Sequence, residues 1–199
     1  MKKLILLCAT VLFYLCLPVS FLFAQDTLPE FRKFGMGVSF QPLGIGNILE
    51  EFEGVPLTKI NFAINATKSF RVELDFGMFA YKDKQDDYKT NAFNMGIGLL
   101  GTKRITSNVI MGGLKIDYTI GKLKGDDDFG EEFEDTFNRL AIGPVLEYEH
   151  LFGGRLGVGA ELGLKFSSYS YSYDGGDDDY DDESTSVYTD SAFFVRIYF

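Results

Sequence analysis

From residue 34 onward, apolar side chains return at every second position, in eight separate stretches. The first, 34–41, sets Phe34, Met36, Val38 and Phe40 against Gly35, Gly37, Ser39 and Gln41. The second, about 58–66, sets Ile60, Phe62 and Ile64 against Lys59, Asn61, Ala63 and Asn65. In 70–81, Phe70, Val72, Leu74, Phe76 and Met78 alternate with Arg71, Glu73, Asp75 and Gly77. In about 91–100, Phe93, Met95, Ile97 and Leu99 alternate with Asn94, Gly96 and Gly98. The fifth, about 109–123, sets Leu114, Ile116, Tyr118 and Ile120 against Gly113, Lys115, Asp117 and Thr119, although Val109-Ile110-Met111 interrupts the pattern at its start. The sixth, about 137–151, sets Leu140, Ile142, Leu146 and Tyr148 against Arg139, Ala141, Gly143, Glu147 and Glu149. In 155–171, Leu156, Val158, Leu162, Leu164 and Phe166 oppose Gly157, Gly159, Glu161 and Lys165. The last, about 187–199, sets Phe193, Val195, Ile197 and Phe199 against Ala192, Arg196 and Tyr198.

A period of two is a strand with unlike faces; a helix would return its apolar residues at three and four. The connections alternate in length. Those at 67–69, 101–108 and 152–154 are short, while 42–57, 82–90, 124–136 and 172–186 are long. Eight such strands predict an all-β chain, an antiparallel up-and-down β-barrel with short turns at one end and long loops at the other.

The polar class of each strand decides which face meets what. A water-facing wall would be rich in Lys, Glu, Thr and Gln, but here glycine, alanine and asparagine dominate, with isolated ionisable residues between them. Six are cations (Lys59, Arg71, Lys115, Arg139, Lys165, Arg196) and six are acids (Glu73, Asp75, Asp117, Glu147, Glu149, Glu161), for a net charge of zero. Such a balance suits a narrow lumen, where an unpaired buried charge costs several kcal/mol and eight strands leave room only for side chains. The apolar class then faces lipid, and the barrel spans a membrane. Phe34, Phe40, Phe70, Tyr81, Phe93, Tyr148 and Phe193, near strand ends, are expected in the interfacial girdles.

Residues 1–24 read differently. Lys2 and Lys3 precede an apolar run from Leu4 to Leu17, and a small residue, Ala24, closes the segment. This is the plan of a secretory signal peptide, with cleavage expected after Ala24 and a single barrel domain over 25–199. Cys8 and Cys16 both fall within it, so the mature chain has no disulfide and no thiolate metal site. Loss of two lysines and no acid moves the formal charge from −10 to −12. So acidic a chain is a poor nucleic-acid binder, since phosphate contacts require basic residues.

The chain ends in Phe193-Phe194-Val195-Arg196-Ile197-Tyr198-Phe199, an alternating strand with a terminal aromatic. Its apolar positions Phe193, Val195, Ile197 and Phe199 resemble the C-terminal signal that outer-membrane proteins present to the barrel-assembly machinery. More broadly, the mature chain resembles the small OmpA/OmpX-type barrels and the PorT-like barrel family of the Bacteroidota. The resemblance implies residence in the outer membrane of a Gram-negative cell. Eight strands and short periplasmic turns place both termini in the periplasm.

Little in the chain points to catalysis. The one histidine, His150, sits at the turn end of the sixth strand with no serine placed beside it, so no base–nucleophile pair is recognisable. Gly96-Ile97-Gly98 and Gly157-Val158-Gly159 lie mid-strand with no helix following, which excludes a dinucleotide fingerprint. No cofactor is expected. The unusual surface feature is acidity in two long loops. Asp126, Asp127 and Asp128 stand with Glu131, Glu132, Glu134 and Asp135 in one; Asp174, Asp177, Asp178, Asp179, Asp181, Asp182 and Glu183 stand in the other. Solvated, self-repelling loops are one reading. Divalent-cation binding, by Ca²⁺ or Mg²⁺ at Asp126–Asp128, Asp177–Asp179, Asp181 and Asp182, is the other, with the ions bridging to lipopolysaccharide. Three functions follow: a non-enzymatic structural or interaction barrel contacting lipopolysaccharide or a protein partner through its loops, a narrow pore for small solutes or ions, and an accessory component of a secretion or assembly system.

Overall fold

A computed structural model describes residues 32–41, 57–82, 89–126, 132–174 and 180–199. The segment expected to be a signal peptide and six of the fourteen acidic loop positions (Asp127, Asp128, Asp177 to Asp179 and Glu131) lie outside them. Eight strands follow in order: β1 (Phe34–Gln41), β2 (Leu57–Thr67), β3 (Phe70–Lys82), β4 (Lys89–Ile105), β5 (Asn108–Asp126), β6 (Glu132–Phe152), β7 (Leu156–Asp174) and β8 (Tyr180–Tyr198). Each pairs antiparallel with its neighbours, and β1 closes on β8 from Gly35↔Tyr198 to Phe40↔Phe193. This is an eight-stranded antiparallel up-and-down transmembrane β-barrel. Closure leaves no strand edge in the hydrocarbon, which would otherwise hold unsatisfied backbone groups.

The two faces sort as their chemistry requires. Met36, Val38, Ile60, Met95, Ile97, Leu99, Leu146, Leu162, Phe193, Val195 and Ile197 are exposed on the outer wall, while their polar strand-mates are buried. Along β5 the outward apolar series runs from Ile110 to Ile120 and is flanked by Asn108 and Lys122. Ten steps of about 3.3 Å, tilted by about 40°, span roughly 25 Å, the height of the apolar band of a membrane barrel. Phe34, Phe40, Tyr148 and Phe193 lie outward near its edges.

The short connections are tighter than the alternation suggests. Ile105 pairs with Asn108, so the β4–β5 turn is Thr106-Ser107 alone, with Thr106 at φ 57°. Gly153 and Gly154, at φ 58° and 69°, turn β6 into β7, a conformation that glycine adopts without Cβ strain. At the other end, β4, β6, β7 and β8 continue past their expected limits. β6 begins at Glu132 and β8 at Tyr180, and β6 and β7 pair up to Glu134↔Asp174. Among the described residues β1 has 8 and β8 has 19, so the described wall reaches further toward the long loops on the β5–β8 side.

The expected break at Val109-Ile110-Met111 is no break in parity. Val109 and Met111 point inward and are buried, with Ile110 outward. They join Ala63, Leu100, Val145, Leu151, Phe194 and Tyr198 in an apolar cluster within the lumen near the short-turn end. Both faces of β5 are apolar there, one against lipid and one against this cluster.

Candidate functional site: the charge network of the lumen

Eleven of the twelve lumen charges are buried: Lys59, Arg71, Glu73, Asp75, Lys115, Arg139, Glu147, Glu149, Glu161, Lys165 and Arg196. Asp117 is the more accessible one, its side chain 13% exposed. Lys115 lies at the centre. Its Nζ stands 2.5 Å from Glu161 Oε2, 2.9 Å from Glu147 Oε1, 3.0 Å from Glu73 Oε2 and 3.5 Å from Asp75 Oδ2. An ammonium carries three donors, so four carboxylates more than use its capacity.

Arg196 takes up the remainder. Its Nη2 donates to Glu73 Oε2 at 2.9 Å, its Nη1 to Glu147 Oε2 at 3.3 Å, and its Nε to Asn61 Oδ1 at 2.5 Å. Asn61 in turn donates to Asp75 Oδ1 at 2.5 Å. Below, Arg71 bonds Glu149 at 3.1 Å and Asn65 at 2.8 Å, and Glu149 also accepts from the Tyr198 hydroxyl at 2.7 Å. Above, Asp117 bridges two cations, Lys59 at 3.2 Å and Lys165 at 2.9 Å.

The zero sum therefore hides a local imbalance. The central group holds three cations (Lys115, Arg196, Arg71) and five acids (Glu73, Asp75, Glu147, Glu149, Glu161), while Lys59 and Lys165 share the single Asp117. Asp190, half-buried, faces the same upper region and takes two 3.0 Å bonds from Gln41. Sequence reasoning missed Asp190 because the eighth strand's polar series was followed only from Ala192; the same parity extended two residues back reaches it. Asp135 is likewise buried and accepts from Tyr171. Arg139 lies over the Tyr188 ring at 4.2 Å rather than in the central group.

Glycines on the remaining strands make room for this network. A Cβ at Gly98 of β4 would stand 2.9 Å from Lys115 Cε, and one at Gly37 of β1 2.8 Å from Arg196 Cγ. One belt through the lumen thus draws on every strand: Gly37, Asn61, Glu73, Gly98, Lys115, Glu147, Glu161 and Arg196. The oxygens of Glu73, Glu147 and Glu161 lie close enough to hold a metal ion, but the Lys115 ammonium is ion-paired with all three and stands where a cation would. Toward the long loops, the cavity bordered by Lys59, Asp117 and Asp190 measures about 10 Å³, about the least that holds one water. At the short-turn mouth a recess of about 40 Å³ lies among Arg32, Asn65, Lys68, Arg71, Arg104 and Tyr198.

Outside the lumen, His150 Nδ1 meets Asn108 Oδ1 at 2.7 Å, and its ring packs edge-on against Phe152. Asp182 is exposed, and Asp126 and Asp181 fall in strand register opposite Glu132 and Ser172. Val195, Ile197, Phe193 and Phe199 lie on the lipid face, and the Phe199 amide donates to Phe34 O, fastening the end of the chain to β1.

No family model matches the chain, and no curated protein does. Among solved structures, it is similar over 85% of its length to a major outer membrane protein from Thermus thermophilus, covering all of that chain at 10% identity and a TM-score of 0.49. It is also similar to CarO2 and CarO of Acinetobacter baumannii, at 11% and 10% identity and TM-scores of 0.38 and 0.37. Each match covers 85% of this chain, with 100% of CarO2 and 98% of CarO.

Proposed function

We propose that the protein is a non-enzymatic resident of the bacterial outer membrane, of the OmpA/OmpX-type plan, whose barrel is a closed structural element. Its long-loop end then serves as the surface that meets lipopolysaccharide or a protein partner. The observation that carries this reading is the Lys115–Arg196 belt. All eight strands contribute to it, and its side chains bond to one another across the lumen instead of lining a water-filled path. An aqueous pore needs charged groups solvated along its wall, whereas here burial is complete or nearly so for Arg196, Lys165, Glu73, Glu147 and Glu149. Their mutual hydrogen bonds are what make that burial tolerable.

Two measurements test the reading. The purified, refolded protein is expected to leave a planar bilayer electrically silent, and stable, reproducible conductance steps would overturn the closed barrel in favour of a pore. Separation of inner and outer membranes on a density gradient is expected to place the protein with the outer membrane.

A further inference from the structure

The lumen charges cancel only when Arg139 is counted, and Arg139 stands over the Tyr188 ring, outside the ion-paired lattice. Among the described residues of that lattice, Lys59, Arg71, Lys115, Lys165 and Arg196 face Glu73, Asp75, Asp117, Glu147, Glu149 and Glu161, five cations against six acids. Asp190, half-buried at the upper end, adds an acid and no cation. A buried charge without a counter-charge is neutralised rather than carried, because its ionised form costs several kcal/mol. The lattice is one proton short of neutral.

Hydrogen bonding singles out the carrier. Glu73 is fully occupied: Oε1 meets Arg71 at 3.5 Å and Arg196 at 2.9 Å, and Oε2 meets Arg196 at 2.9 Å and Lys115 at 3.0 Å. Glu149 accepts from Arg71 and the Tyr198 hydroxyl, Asp75 from Asn61, and Asp117 from two lysines. Glu147 is different. It is wholly buried, and its Oε1 accepts no hydrogen bond although it lies 2.9 Å from Lys115 Nζ. Its Oε2 has long contacts of 3.3 and 3.4 Å from Arg196. The charged groups facing it at this level are Glu73 and Asp75 of β3, Lys115 of β5, Glu161 of β7 and Arg196 of β8; β1, β2 and β4 present Gly37, Asn61 and Gly98.

A protonated carboxyl gains a donor that a carboxylate lacks. One oxygen each of Glu73, Glu147 and Glu161 lie within 4.8 Å of one another, and Glu161, held at Oε2 by Lys115, is less occupied than Glu73. We propose that Glu147 is a proton-binding site: in the folded barrel it is a neutral carboxylic acid whose Oε1 hydroxyl donates to the Glu161 carboxylate. The proton comes from solvent as the barrel closes. Carboxyl groups that share a site hold one proton between them for the same reason, since two like charges repel at short range. The inference rests on the closed-barrel reading, because a lattice open to water needs no proton to cancel its charge.

Infrared spectroscopy tests it directly. The full-length protein is refolded at neutral pH in octyl glucoside, a detergent without a carbonyl group, once in H₂O and once in D₂O. The wild type is expected to show the carbonyl stretch of a protonated carboxylic acid, resolved from the amide band and shifted down in D₂O. Glu147→Gln should lose that band, because five cations then meet five acids, and Asp190→Asn should keep it. A wild-type spectrum without the band would overturn the proposal, whether or not the variants fold. A band that survives in folded Glu147→Gln, or vanishes in folded Asp190→Asn, would place the proton elsewhere and overturn it too. The planar-bilayer recording is a separate readout: a silent bilayer with no acid band rejects the proton site alone, and conductance steps reject the closed barrel.

Discussion

The middle of the lumen and its upper end are built from the same strands yet follow different rules. At the level of Lys115 the outer wall is apolar and the charged side chains of the interior are buried. Every polar group there must find its partner inside the barrel. The result is a lattice of carboxylates and cations at 2.5 to 3.5 Å. Higher up, β6 to β8 extend toward the long loops and their inner face turns to hydroxyls and rings: Ser167 bonded to Ser186 at 2.8 Å, Tyr171 to Asp135, and Arg139 over Tyr188. Water is within reach of this end, so single losses can be resolvated. The same kind of substitution should therefore cost much in the middle and little at the top.

The largest effect is expected from Lys115→Met. The side chain keeps its volume and loses its charge, leaving Glu73, Asp75, Glu147 and Glu161 without their shared ammonium. Removing one partner of a buried ion pair costs about 3–5 kcal/mol, since the remaining charge has nowhere to go. The chain has no tryptophan, so unfolding in urea is best followed by far-UV circular dichroism of the detergent-solubilised barrel. Adding Glu161→Gln, which removes one orphaned carboxylate, should recover part of the loss. A double variant as weak as the single one would mean that the lattice is not held by charge balance.

Next in size is a test of how closely the wall itself is packed at mid-height. The ladder between β6 and β7 is interrupted at Gly143 and Pro144, where proline has no N–H to give. A Cβ at Gly143 would collide with the Leu164 carbonyl oxygen of β7, whereas one at Gly112, on the lipid face of β5, would find its nearest neighbour at 3.8 Å. Gly143→Ala is expected to destabilise by about 1–3 kcal/mol, as overpacking does, and Gly112→Ala by close to nothing. Urea midpoints of the two alanine variants, measured side by side, check the contrast.

The same division between middle and top explains what could be read in the chain. Alternation marks a strand where one face meets lipid and the other does not, and that is why the mid-barrel parts of all eight strands were legible. Above the bilayer both faces meet water. The stretch Tyr180-Asp181-Asp182-Glu183-Ser184-Thr185-Ser186 therefore carries no period of two, although it belongs to β8. At the short-turn end the reverse holds: Val109 and Met111 face an apolar lumen, so both faces read alike and the pattern blurs without breaking. The membership of the charge network followed from parity, but its wiring did not. Lys115 meets Glu73, Glu147 and Glu161 on strands β3, β6 and β7. Of these only β6 neighbours β5 in the sheet, and contacts across a lumen depend on closure rather than on sequence distance. Asp135 reads as loop for the first reason, since it lies before the expected start of the sixth strand, whereas Asp190 lies within the expected eighth strand and was passed over because its polar series was followed only from Ala192.

The smallest effect belongs to the upper end, and it sharpens the comparison because the residue changed is again a buried cation. Arg139 is 7% exposed, and its guanidinium packs on the Tyr188 ring, with no carboxylate lattice around it among the described residues. Cation–π contacts contribute about 0.5–1 kcal/mol where solvent is close and about 2 kcal/mol where it is not. Arg139→Gln removes the charge but leaves no cluster of acids behind it, so a loss of about 1 kcal/mol is expected. A urea midpoint shifted as far as that of Lys115→Met would show that the upper lumen is as sealed as the middle. A shift several times smaller would place the boundary of the dry lumen between the levels of Lys165 and Arg139.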